Sequence, residues 1–217
     1  MRNVRKFLLL FATIGTASAG EFYVGLDAGV AWQNFIYNNS MAGQQISNSQ
    51  LTVSATSPGA QLGIDAGYLF TKNWGVELGY QYFFNSNTIT GATISSNNDN
   101  STFNLNAQLL DLLAVGRLPI EDSNFSVYAK LGLALAYAQM GQYCTTTCAG
   151  GGSLPSGTGV AVAMGLGLEY MISKQWDVHL EAMNYGGLLP VSMSSNGQNV
   201  GSWSATSLLL GGAWHFN

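Results

Sequence analysis

Charge is what this chain has least of: only 8% of its residues are Asp, Glu, Lys or Arg, against about 25% in an ordinary soluble domain. Bases are scarcest. Three of the seven sit at Arg2, Arg5 and Lys6, which leaves Lys72, Arg117, Lys130 and Lys174 to face eleven acids. That balance provides no basic patch for nucleic acid. Four prolines and no run of charge give no linker, so the chain reads as one domain. Two histidines and two cysteines supply no metal signature, and no cofactor motif is present. Also missing is an apolar run of about 18 residues, so no membrane-spanning helix is encoded.

The longest apolar stretch, Phe7 to Ile14, follows the basic Arg2–Lys6 segment and precedes Ala17-Ser18-Ala19. A basic start, a short apolar run and a small-x-small ending read as a secretory signal peptide over residues 1–19, cleaved between Ala19 and Gly20. The remaining domain, 20–217, is exported, and no cysteine lies at the cleavage point to carry a lipid anchor.

What is plentiful is glycine, aromatics and period-two alternation. Phe22, Val24, Leu26, Ala28, Val30 and Trp32 alternate with smaller or polar residues. The same pattern recurs at Ala60–Phe70, Trp74–Phe84, Phe125–Tyr137, Val160–Tyr170, Trp176–Ala182 and from about Trp203 to Phe216. Segments of about ten residues with this period are the strands of a barrel whose outer face meets lipid. A further segment, Thr102–Leu118, breaks parity between Asn104, Asn106, Gln108 and the later Asp111, Arg117. A β-bulge near Leu109 or Leu110 is inferred there. Eight antiparallel strands result. Short turns fall at Thr71–Asn73, Pro119–Asn124 and Ser173–Gln175. Long polar loops are expected at Ile36–Pro58, Asn85–Ser101, Gly141–Thr158 and Gly186–Ser202. Trp74, Trp176, Trp214 and Phe216 flank the short turns or the C-terminus, an interfacial girdle.

Read in order, the Phe22-Tyr23-Val24-Gly25-Leu26-Asp27-Ala28-Gly29 opening, the Gly75–Tyr80 run and the aromatic strand Leu208–Phe216 resemble the small eight-stranded OmpA/OmpX-type outer membrane barrels. The likeness covers essentially the whole mature chain. It implies an up-and-down transmembrane barrel in the bacterial outer membrane, with short periplasmic turns and surface loops. Outer membrane lipid and lipopolysaccharide are the surroundings it implies, and the barrel-assembly machinery is the biogenesis partner. Family members usually finish on an aromatic residue; here Asn217 follows Phe216, which shifts that signal by one position.

Parity points Asp27, Asp65, Glu77, Lys130, Glu169, Asp177 and Glu181 into the lumen, with Arg117 joining after the inferred bulge. An eight-stranded barrel is just wide enough for side chains to fill, so these charges must pair. Lys130 and Arg117 are expected to bridge Glu77 and Glu169, as a wall-holding network or as a gate. Cys144 and Cys148 enclose three threonines in the third loop, and export favours their oxidation to a disulfide. The resulting short loop is worth only ~2 kcal/mol. His179, flanked by Asp177 and Glu181, has no serine beside it and points inward, and His215 lies at the short-turn end. No catalytic group is assembled from these. Two functions fit: a structural membrane protein whose loops contact host or envelope surfaces, or a narrow cation-favouring diffusion channel.

Overall fold

A computed structural model describes residues 20–37, 52–54, 58–86, 102–143, 156–195 and 198–216. The strands are β1 (Glu21–Tyr37), β2 (Thr52–Ser54), β3 (Gly59–Thr71), β4 (Trp74–Ser86), β5 (Thr102–Pro119), β6 (Phe125–Tyr143), β7 (Ser156–Met171), β8 (Trp176–Tyr185), β9 (Val191–Ser195) and β10 (Gln198–Phe216). They occupy eight wall positions. β2 continues the line of β3 along β1, and β9 continues that of β8 between β7 and β10. All neighbours are antiparallel, and β1 pairs with β10 from Phe22↔Phe216 to Tyr37↔Gly201. That seam closes the sheet, which removes the open edge a hydrocarbon medium would not tolerate.

The turns form for local reasons. Thr71 Oγ1 accepts hydrogen bonds from the backbone of Asn73 and Trp74, and Ser173 Oγ accepts from Gln175 and Trp176. Each hydroxyl stands in for backbone partners that a tight turn removes. Asp122, at φ 58°, takes the left-handed position in the turn between β5 and β6, which an Asp tolerates better than most residues.

Two sequence expectations need correction. The fourth segment has no bulge at Leu109 or Leu110. β5 pairs with β6 without a break from Thr102↔Tyr143 to Pro119↔Ser126, and Leu105, Ala107, Leu109, Asp111, Leu113 and Val115 are all buried. The register shift lies instead against β4, between Phe83 and Ser86. Thus Gln108 is on the outer face, where its Oε1 accepts the Tyr80 hydroxyl at 3.1 Å. The second correction concerns Gly186–Ser202, which is not a loop. Most of it is β9 and the start of β10, paired to each other. Above the lipid the sheet continues in water, where polar side chains carry no penalty and hide the strand from a polarity reading. Expectations that fall on residues 38–51, 87–101 and 144–155, including the Cys144–Cys148 disulfide, and on residues 1–19 lie outside the described residues.

Glycine explains how so narrow a barrel is filled. Long inward side chains face glycines on the neighbouring strand: Tyr23 faces Gly67, Asp65 Gly25, Gln81 Gly63, Asp111 Gly79, Tyr128 Gly167 and Met183 Gly165. A Cβ at Gly67 would lie 2.1 Å from Tyr23 Cζ, and one at Gly167 2.2 Å from Tyr128 Cζ, far inside van der Waals contact. Gly167→Val is therefore expected to destabilise the barrel by about 1–3 kcal/mol through overpacking. Urea titration of the protein in vesicles, followed by tryptophan fluorescence, reads this out. An unchanged midpoint would mean that Tyr128 has room to move aside.

A charged lumen beneath an apolar plug

The inward residues separate into two storeys. Nearer the long loops, Phe35, Phe83, Leu105, Leu109, Met183, Tyr185, Val191, Met193, Trp203 and Leu209 form an apolar cluster. Phe83 packs edge-on against both Tyr185 and Trp203, with ring centroids at 5.8 and 5.9 Å. Amides are set into the cluster: Gln33 Oε1 accepts from Trp203 Nε1 at 3.0 Å, Gln33 Nε2 donates to the Leu105 carbonyl at 3.1 Å, and Gln61, in register with Phe83, donates through Nε2 to Gln81 Oε1 at 2.9 Å. The ion pairs are thus confined to the lower half, and the upper half is mainly apolar with a few buried amides, which narrows the expectation of a polar interior.

Nearer the short turns lies the charge. Lys130, 7% exposed, holds Glu77 Oε1 at 2.8 Å and Glu181 Oε2 at 2.7 Å. The Tyr23 hydroxyl donates to Glu77 and the Tyr128 hydroxyl to Glu181, each at 2.7 Å. In both cases a glycine, Gly67 or Gly167, lies between the tyrosine and the glutamate in register. Two like modules on opposite walls thus converge on one ammonium. Arg117 pairs with Glu169. It reaches the lumen by simple alternation along β5, without the bulge invoked for it.

A third group runs in from the mouth. Glu21 lies 2.5 Å from His215 Nδ1, His215 Nε2 is 2.5 Å from Asp177, His179 Nδ1 is 3.0 Å from Asp177, and His179 Nε2 is 2.7 Å from Asp27. Both nitrogens of His179 are engaged by carboxylates, so neither is available to activate a nucleophile. No grouping of His, Cys, Asp and Glu among the described residues could hold a metal. A cavity of about 40 Å³ lies among Asp65, Arg117, Lys130, Glu169, Asp177 and His215. That is room for about two or three waters. Asp65 Oδ2 and Arg117 Nε have no protein partner and adjoin this cavity.

Of the residues singled out in the sequence, the lumen thus brings Glu77 to Lys130, Arg117 to Glu169 and Asp27 to His179. It does not bring Lys130 or Arg117 between Glu77 and Glu169, because Glu181 takes the second side of Lys130. Tyr23, Tyr128 and His215 were not anticipated as partners, although parity places both tyrosines inside opposite a glycine. Trp74, Trp176 and Phe216 are exposed on the outer face at the short-turn end, and Trp214 lies partly covered against Trp176 at 4.6 Å.

Set beside known proteins, residues 7–216 match the model of the outer membrane protein beta-barrel domain. The chain belongs to that family. Its place is accordingly the bacterial outer membrane, and its exposed apolar belt faces lipid. Among solved structures it is similar to the Neisserial surface protein A, at 18% identity, TM-score 0.59, covering 90% of this chain and 97% of that one. It is similar also to OprG of Pseudomonas aeruginosa, at 17% identity, TM-score 0.55, covering 94% and 99%. A major outer membrane protein of Thermus thermophilus gives 15% identity, TM-score 0.51, covering 91% and 100%. At these identities the likeness is one of fold. No curated protein sequence matches the chain.

Proposed function

We propose that this outer membrane barrel is a sealed structural component whose surface loops do its binding, and that it is not an enzyme. The observation carrying this reading is the filling of the lumen on two levels, ion pairs below and an apolar plug above. A diffusion pathway needs continuous polar space, whereas Trp203, Phe83 and Met193 are fully or almost fully buried. The network of Asp27, Asp65, Glu77, Arg117, Lys130 and Glu169 then serves to hold the wall. The Ser-, Asn-, Thr- and Gly-rich sequence between the strands offers hydrogen bonding without strong charge, suited to sugars or uncharged protein surfaces. Residues 1–19 act as the cleaved signal, and the aromatic β10 is the segment offered to the barrel-assembly machinery.

Planar-bilayer recording tests this. The wild-type protein and Lys130→Ala are both expected to be electrically silent, because removing the ammonium leaves the apolar plug in place. Discrete cation-selective steps that grow in Lys130→Ala would establish the gated channel instead.

A further inference from the structure

The outward apolar belt is uneven in height. On β4 it runs from Trp74 to Phe84 and on β7 from Tyr170 to Val160. Ten steps at about 3.3 Å each, on strands tilted by about 40°, give the roughly 25 Å that such a belt needs. On β8 it stops at Ala182, about 15 Å above Trp176 by the same reckoning. Asn184 comes next, and its neighbour on β10 is Thr206.

Above Asn184 the chain leaves the sheet. Between Tyr185 and Val191, residues 186–190 run outside the ladder while β10 advances by Ser204 alone. The departure is built. Gly186 takes φ 76°, a left-handed conformation that glycine adopts without cost. Its N–H donates to the Val162 carbonyl of β7 at 2.9 Å. Gly187 N donates to Asn184 Oδ1 at 3.1 Å, and Asn184 Nδ2 donates to Thr206 Oγ1 at 2.9 Å. Pro190 brings the chain back without a backbone donor to satisfy. The tip is Leu188 and Leu189, 73% and 49% exposed.

We infer that Gly186–Pro190 is a membrane lip, its backbone at head-group level and its two leucines inserted into the acyl chains of the outer leaflet. The occupant is lipid because the segment is fastened to β7 at Val162, beside the exposed Val160, and its two exposed leucines follow in the chain where the apolar belt of β8 falls short. No charged residue lies in the segment to recruit a protein or a phosphate. The depth agrees with backbone rules, since irregular chain is admitted at the interface but not in hydrocarbon. The Asn184–Thr206 pair beneath satisfies itself, as polar groups on a lipid-facing wall must.

The test uses a nitrobenzoxadiazole label at Leu188→Cys, in protein carrying Cys144→Ser and Cys148→Ser, extracted from outer membranes and reconstituted in phosphatidylcholine vesicles. A side chain this exposed can be replaced without disturbing the wall. Lipid doxyl-labelled at carbon 5 is expected to quench it within about twofold of a label at Leu210→Cys in the middle of the belt, with little quenching by aqueous iodide. Iodide quenching equal to or above the doxyl effect, as at Ser192→Cys, would put the leucines in water and overturn the lip.

Discussion

Lys130→Met is expected to lower the stability of the folded barrel by about 3–5 kcal/mol, the cost of leaving buried charges without their partner. The loss is large because one ammonium serves both Glu77 and Glu181, at 2.8 and 2.7 Å, so its removal sets two carboxylates facing one another in a narrow, poorly hydrated space. The neighbouring phenols of Tyr23 and Tyr128 donate only one hydrogen bond each and cannot take up the charge. Urea unfolding in vesicles, followed by the gel shift between folded and boiled protein, measures the effect. The control is Lys130→Met combined with Glu77→Gln and Glu181→Gln, which keeps the acceptors for both tyrosines and removes the charge. Most of the lost stability should return in that triple variant. A triple variant no better than Lys130→Met alone would place the role of Lys130 in packing and not in charge.

A comparable loss, about 3–5 kcal/mol, is expected for Trp203→Ala, from a different cause. Trp203 is completely buried in the upper storey and contacts Phe83 edge-on. Truncation opens a cavity and also leaves Gln33 Oε1 without its indole donor. Trp203→Phe keeps most of the volume and loses the hydrogen bond, so the difference between the two variants separates packing from the polar term. Equal losses in both would mean that the Gln33 bond dominates. Conductance adds a second readout, since thinning the plug should let water into the upper lumen in Trp203→Ala and not in Lys130→Ala.

Most of the wall was legible because a lipid-facing strand writes its environment into alternate residues. Phe22 to Trp32 and Trp74 to Phe84 could be read directly, and parity alone sent Asp27, Glu77, Lys130 and Glu169 inward. The reading failed where the medium changes. It assigned polarity to the inside all along β5, but toward the loops the outside is wet and the inside apolar, so Asn106 and Gln108 face out while Leu105 and Leu109 fill the core. The supposed bulge was an inversion of solvent. Residues 191–202 were misjudged for the same reason, as serines and asparagines pair into strands once clear of the membrane. The partner of each charge was not legible at all. Parity gives the side of the wall but not the stagger between distant strands, so the choice of Glu181 over Glu169 as the second carboxylate on Lys130 needed three dimensions.

The two tyrosine–glycine–glutamate modules also bear on how the chain assembles. One is supplied by β1, β3 and β4, the other by β6, β7 and β8, and the ammonium that joins them comes from β6. Neither half of the polypeptide completes the group alone: the N-terminal half ends with an unclaimed Glu77, and the C-terminal half holds a lysine with one of its two carboxylate partners. A hairpin slipped by one residue would turn its glutamate toward the acyl chains. Completion of the cylinder is thereby coupled to correct stagger in both halves, and the barrel should form and come apart in a single step, with no long-lived half-closed sheet.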